Sequence, residues 1–193
     1  LDSHSRTVNF FSYTFDGSVF DIFTSLLSGA VLHIPPRGAT IPGQPLVRML
    51  QENDITSILL TPSALAVLPM SDLPHLELMM TGGEACTWDL VRNWGKDHRY
   101  VNVYGPTEIT VISSFEFLDH DQVLDRNVPI GRPLQNTKSF VLDSAMQPVP
   151  VGVKGELFIG GVGVARGYSN LPEQTAERFI SIELNGRTER VYR

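Results

Sequence analysis

One cysteine, Cys86, stands among 193 residues. That excludes an intrachain disulfide and fits a reducing compartment. No apolar run is long enough to span a bilayer, and no signal-peptide pattern is present, so the cytoplasm is the expected location and no membrane partner is expected. Positive charge is not in excess. Lys plus Arg number 15 against 21 Asp plus Glu, a net charge of −6, which argues against a nucleic-acid partner. The histidines His4, His33, His75, His98 and His120 are scattered without metal-ligand spacing. Cys86 has no evident histidine partner, and no serine sits in a G-x-S-x-G setting, so nucleophilic hydrolase chemistry lacks support. Internal repeats and low-complexity segments are also lacking.

What remains is ordinary for a globular chain: 42% hydrophobic and 19% charged residues, enough for one domain or a domain and part of another. Residues 7–12 have strand character. From 18 to 27 the apolar residues Val19, Phe20, Ile22, Phe23, Leu26 and Leu27 recur at helical spacing, with Gly29 as a C-cap. A short strand at 31–34, a Gly/Pro loop at 37–45, a helix at 46–52 and a buried-type strand at 55–60 follow. Pro62 opens a short helix at its first turn. A strand at 76–80, a helix from Thr87 (its expected cap) to about Lys96, and a strand at 100–103 complete the run. Strand and helix alternate with short connections, which predicts an α/β fold: a mostly parallel sheet with flanking helices. After about residue 125 the chain becomes rich in turns and strands, at 138–143 and 155–160, with one helix at 172–179.

Three motifs stand out. The stretch 100–108, YVNVYGPTE, reads as a strand ending in a turn, the place where open α/β sheets bind ligands. Tyr104 offers a ring for stacking. Gly105 permits a conformation that residues with a Cβ avoid, and Pro106 stiffens the turn. Thr107 offers a hydroxyl to a phosphate, and Glu108 a hard-oxygen ligand for magnesium. The ordinary reading is a β-turn with solvated Thr and Glu, and alone the pentapeptide does not defeat it. FDGSVFDIF at 15–23 places Asp16 before an apolar helix, where a helix-dipole role is the plainer reading. GELFIGGVGVARGY at 155–168 has the spacing G-x-G-x-x-x-G after a β-rich segment, so it is a glycine-bearing turn and not a phosphate loop.

Taken in order, and with Thr81-Gly82-Gly83-Glu84 between them, these motifs resemble the adenylation domain of a non-ribosomal peptide synthetase, in the acyl-adenylate-forming superfamily. The resemblance spans essentially the whole chain. It implies part of the large N-terminal core of such a domain. Residues 1–126 would be an α/β subdomain and 127–193 a truncated, β-rich, barrel-like one, with the small C-terminal domain absent. The phosphate loop, the ribose aspartate and the catalytic lysine would lie outside this internal fragment, so no catalytic residue is expected within it.

The resemblance also assigns positions. The amino-acid pocket falls on Asp16, Gly17, Phe20, Leu59, Met80, Gly82, Val103, Val111 and Ile112. Asp16 would pair with the substrate α-ammonium. Past Asp16 none of these carries a charge, so an apolar, isoleucine-like side chain is expected, with leucine and valine next. Gly17 and Gly82 would leave room for it. Core packing is the ordinary alternative for Leu59, Met80 and Val103. Gly83, Glu84, Asn102, Tyr104, Gly105 and Thr107 would contact the nucleotide, and Glu108 would hold the metal. ATP, Mg2+ and a carrier-borne phosphopantetheine are the implied cofactors, and carrier and condensation domains the implied partners. An acyl- or aryl-CoA ligase of the same superfamily, or a non-catalytic nucleotide-binding fragment, are the alternatives.

Overall fold

The computed structural model describes residues 1–122, 125–184 and 186–193. They form two compact units: Leu1–Tyr104 with Phe115–Gly131, and Gly105–Ser114 with Arg132–Arg193.

The first unit alternates strand and helix. Its elements are β1 (Arg6–Val8), α1 (Gly17–Ser28), β2 (Val31–His33), α2 (Gln44–Glu52), β3 (Ser57–Leu60), α3 (Pro62–Ala66), β4 (Leu78–Thr81), α4 (Trp88–Trp94), β5 (Arg99–Tyr104) and β6 (Ser114–Leu118). The strand order is β2-β1-β3-β4-β5-β6. β1 runs parallel to β2 and β3, β3 to β4, and β4 to β5. This is the mostly parallel, helix-flanked sheet that the alternation predicted. Every residue of β3 is buried, as a strand covered on both faces requires. α2 buries Leu46, Val47, Met49 and Leu50, and each such side chain contributes about 1.5–3 kcal/mol. Pro62 opens α3 behind Thr61, whose hydroxyl accepts from the Ala64 N–H at 3.2 Å. Thr87 does occupy the N-cap of α4, but its side chain makes no capping bond there, contrary to the sequence reading.

β1 is shorter than the strand expected over 7–12. The cause is a side chain. Oδ2 of Asp21, on α1, accepts the N–H groups of Phe10 (3.0 Å) and Phe11 (3.3 Å), so those amides are withdrawn from any ladder.

α1 departs from its pattern in a second way. Gly29 caps it in the left-handed conformation as expected, but the buried residues are Gly17, Ser18, Asp21 and Ser25. The apolar side faces outward, with Phe23 55%, Leu26 62% and Leu27 85% exposed. Spacing correctly gave a helix but not the side that turns inward. Ser25 is held there by Thr7 Oγ1 and by the carbonyl of Asp21, both at 2.5 Å. For the 193-residue chain, Leu27→Ser is therefore expected to change unfolding stability in urea by no more than about 0.5 kcal/mol. Ser25→Leu, which breaks a buried polar pair and overfills the site, is expected to cost about 2–3 kcal/mol. Equal costs for the two would contradict this orientation.

The second unit begins with a 3-10 turn, Thr107–Ile109. It continues through β7 (Arg132–Pro133), β8 (Thr137–Leu142), β9 (Glu156–Gly161), α5 (Pro172–Arg178), β10 (Phe179–Leu184) and β11 (Arg187–Tyr192). Strands β8 to β11 make one antiparallel sheet in the order β10-β11-β9-β8. Leu142, Phe158, Ile182 and Val191 form its core. The β10–β11 hairpin was not foreseen. Its inward residues Ile182 and Val191 are diluted by exposed Glu183, Arg187 and Arg190, so the sequence reads as a charged stretch. No helix among the described residues is long and apolar enough to cross a membrane.

Candidate functional site

Because β1, β3, β4 and β5 run parallel, their carboxyl ends share one edge of the sheet. That edge is where such sheets bind ligands. The segment carrying Asp16 leaves the end of β1. Gly82, Gly83 and Glu84 leave the end of β4, and Tyr104 closes β5.

Asp16 occupies the N-cap of α1, yet its side chain makes no capping hydrogen bond. Gly17 behind it is buried. A Cβ there would lie 2.6–2.9 Å from the ring of Phe11. At Gly82 a Cβ would lie 2.5 Å from Val103 Cγ2. Both glycines are thus required by close packing, and the protein's own side chains fill the space that the sequence reading left open. Phe20, Leu59 and Met80 come together, lining one small cavity of about 10 Å³ with Ser57, Thr24 and Asp21. That is room for roughly one water molecule. Leu59 and Met80 are register partners on β3 and β4.

Two polar groups here were not anticipated. Ser57 Oγ is buried with no hydrogen-bond partner among the described residues. Asp21 is 4% exposed, and burial pushes its carboxyl up to about 6, against the opposing bonds from Phe11, Phe10 and Asn9. The sequence signal for Asp21 existed: with Gly17, Ser18 and Ser25 it falls at helical spacing on one face of α1, away from the exposed apolar side chains.

Asn102 is 4% exposed on β5. Its Nδ2 donates to the Pro129 carbonyl at 2.8 Å, which fixes the amide, while Oδ1 is buried with no partner among the described residues. An unpaired buried acceptor costs about 1–3 kcal/mol. Such an atom suits a ligand N–H, and an adenine amino group supplies one. Tyr104 is half-buried beside it in sequence. Gly83 takes a left-handed backbone (φ 82°), which permits the turn after β4. Glu84 is committed locally: its two carboxylate oxygens accept from the Ser63 N–H (3.0 Å) and Ser63 Oγ (2.8 Å), tying this loop to α3.

In the second unit Thr107 is exposed and Glu108 half-buried on the 3-10 turn. Partial burial pushes the Glu108 carboxyl up. Hydrogen bonds from Tyr168, from its own backbone N–H and from Tyr192, with the Arg178 charge, outweigh this and hold it below the usual range. The Tyr168 hydroxyl donates to Oε1 of Glu108, and that bond raises the Tyr168 pKa in turn. An ionised carboxylate oriented by a phenol fits the hard-oxygen ligand that magnesium takes. Tyr168 closes the 155–168 motif, whose glycines gave no sign of this contact. The Glu108 carbonyl also accepts from the Ala165 N–H at 2.8 Å.

Gly105 does not take a left-handed backbone, so its role differs from the one expected. A Cβ there would lie 2.3 Å from the Val111 carbonyl oxygen and 2.6 Å from Ile112 Cα. The left-handed residues are instead Thr110 (φ 61°) and Val111 (φ 71°). For β-branched side chains this is strained backbone, the kind that persists at functional positions.

The roomier surface groove, about 520 Å³, is lined by Gly95, Lys96, His98, Tyr100, Phe117 and His120, and holds none of the positions assigned to the amino acid, the nucleotide or the metal. His120 lies between Asp119 and Asp121, with its ring nitrogens 3.4 and 3.3 Å from their carboxylates. Cys86 lies 3.4 Å from the Tyr100 hydroxyl.

A family model described as AMP-binding enzyme matches residues 1–169. A linear gramicidin synthase chain of Brevibacillus parabrevis is 49% identical over all 193 residues, which make up 2% of that protein. Chondramide synthase of Chondromyces crocatus is 44% identical over the whole of this chain and 5% of its own length. Among solved structures, holo-PA1221, a non-ribosomal peptide synthetase protein containing adenylation and carrier (PCP) domains, superimposes with a TM-score of 0.91 at 28% identity, covering all of this chain and 34% of that one. The N-terminal subdomain of Klebsiella oxytoca NpsA bound to 3-hydroxyanthranilyl-AMSN does so at 0.86 and 28%, with 51% of that chain covered. The chain therefore spans a few per cent of these synthetases and about half of that N-terminal subdomain. With the family model matched from residue 1 to 169 and the same architecture in a solved structure that contains an adenylation domain, this chain belongs to the AMP-binding enzyme family.

Proposed function

We propose that the protein carrying these residues activates an apolar, branched aliphatic amino acid. The amino-acid carboxylate attacks the α-phosphorus of ATP and displaces pyrophosphate, forming an aminoacyl-adenylate. The acyl group then passes to the phosphopantetheine thiol of a carrier domain, with condensation domains as further partners in non-ribosomal peptide synthesis.

In this reading Asp16 pairs with the substrate ammonium. Gly17, Phe20, Leu59, Met80, Gly82, Val103, Val111 and Ile112 bound its side chain. Asn102 accepts from the adenine amino group, Tyr104 stacks on the ring, and Gly83 lets the flat base approach. Glu84 shapes that loop through Ser63. Gly105 allows the 111–113 backbone to close behind it, and Thr107 contacts phosphate. Glu108 holds Mg2+, which would neutralise phosphate charge. These residues bind and orient, and none is a general acid or base.

The observation that carries the amino-acid part is Asp16: a carboxylate at a helix entrance that caps nothing. A ligase for acids without an amino group has no use for it. The experiment is amino-acid-dependent exchange of labelled pyrophosphate into ATP, using the whole domain. Isoleucine, leucine or valine should give the strongest exchange, with modest separation among them, since one methylene is worth about 1–3 kcal/mol. Breaking a desolvated charge pair costs about 2–5 kcal/mol, so Asp16→Ala should lower kcat/KM for the amino acid roughly 30-fold or more. Exchange only with acids lacking an amino group would overturn the reading.

A further inference from the structure

We infer that Asp21 is a positioning residue for the entrance of α1. It sets where Asp16 and Gly17 stand by locking the Phe11 ring beneath them.

The chain of contacts lies wholly within the first unit. Oδ2 of Asp21 gathers the N–H groups of Phe10 and Phe11. Asn9, 8% exposed, donates its side-chain amide to the Phe11 carbonyl at 3.0 Å, so Phe11 is held through both its N–H and its carbonyl. The Phe11 ring fills the space where Gly17 would carry a Cβ. It also stacks on Phe15 at 5.5 Å between centroids and 26° between planes. Phe15 and Gly17 flank Asp16 on either side. The Asp16 carbonyl accepts the Val19 N–H at 2.9 Å, but its side chain makes no capping bond, so where the carboxylate stands follows from how this turn is held.

A merely structural polar contact is a weaker account. The carboxylate is buried beside a small cavity lined by Phe20, Leu59 and Met80 as well as Thr24 and Ser57, where a charge is costly. What it secures is the turn against which α1 starts. The contact also explains why the strand ends at Val8, freeing 9–16 to form a loop at the carboxyl edge of the sheet.

The inference rests on the proposed amino-acid activation for its kinetic readout, and a second readout is independent of it. In the whole domain, Asp21→Ala should raise the KM for the amino acid tenfold or more and leave the KM for ATP within twofold. Asp21→Asn, which keeps an acceptor oxygen for both N–H groups, should stay within threefold of the parent. Independently of any substrate, hydrogen exchange at the Phe10 and Phe11 amides should speed up at least tenfold in Asp21→Ala and not in Asp21→Asn. If Asp21→Ala does not fold, Phe11→Leu keeps the carboxylate bonds and removes the ring; the same KM split is then expected. An unchanged amino-acid KM in a folded Asp21→Ala or Phe11→Leu protein overturns the inference, as does an equal rise in both KM values. Should the parent enzyme exchange only with acids lacking an amino group, the amino-acid reading fails. The inference then still requires the KM for that acid to rise in Asp21→Ala, because the same ring sets the entrance of α1.

Discussion

Gly105→Ala is expected to destabilise the second unit by about 3 kcal/mol or more, at the upper end of what overpacking by one methyl does. The reason is the nature of the obstacle. The new methyl would meet the Val111 carbonyl oxygen at 2.3 Å, Ile112 Cα at 2.6 Å and the Ser113 N at 2.8 Å. These are backbone atoms, so no rotamer change relieves them. The segment that must yield is already strained, with Thr110 and Val111 in left-handed conformations at a cost of about 1–3 kcal/mol each. Ser113 is also tied down, its carbonyl accepting the Leu134 N–H at 2.8 Å. Urea unfolding of the parent and variant would measure the loss. Val111→Gly offers the converse test: it removes the side chain from a φ of 71° and should stabilise by about 1 kcal/mol. Combined with Gly105→Ala it should recover part of the loss, since a glycine at 111 lets the carbonyl move. Strict additivity of the two would mean that the contact is not what Gly105 protects.

This pair of residues illustrates what could be read without coordinates. Gly105 was marked by its place after a strand, and the glycine requirement was correctly sensed. Its cause was not, because close approach of residues 111–113 depends on a turn at 107–109 that propensity does not announce. The same divide runs through the fold. Elements whose signal is local were legible: the buried run that becomes β3, Pro62 at the start of α3, Gly29 at the end of α1. Those decided by distant partners were not. Asp21 shortens β1 from within α1, and Tyr168 reaches Glu108 across 60 residues of sequence. Ser63 takes up Glu84, which looked free for a ligand. The inward polar side of α1 is the sharpest case. Helical period is a property of the chain, whereas the choice of buried face belongs to what packs against it.

Asp21 also carries the second large effect, on stability as a function of pH. Its carboxyl has an ordinary value of 3.8 and about 6 in the folded chain. The folded state therefore holds this proton more tightly than the unfolded state does. The stabilising contribution is complete below the unfolded value, near pH 3.8, and is lost as pH rises through 6. The size follows from the shift: roughly two pH units at about 1.36 kcal/mol each, or about 3 kcal/mol. Other carboxylates titrate in the same window, so the parent curve alone does not isolate the group. The difference between parent and Asp21→Asn does, because every other titration is shared. Relative to Asp21→Asn, the parent should lose about 3 kcal/mol of unfolding free energy between about pH 3.5 and pH 7, nearly all of it between about pH 4 and 6. A difference that does not vary with pH would mean that the carboxylate is as well solvated folded as unfolded, against its burial on the inward face of α1. A difference of the opposite sign would mean that the Phe10 and Phe11 amides stabilise the charge by more than burial penalises it. In the expected case the ionised carboxylate is held in the folded chain at neutral pH at a cost of about 3 kcal/mol relative to its protonated form. That cost is set against the two N–H bonds by which Asp21 holds Phe10 and Phe11 beside the entrance of α1.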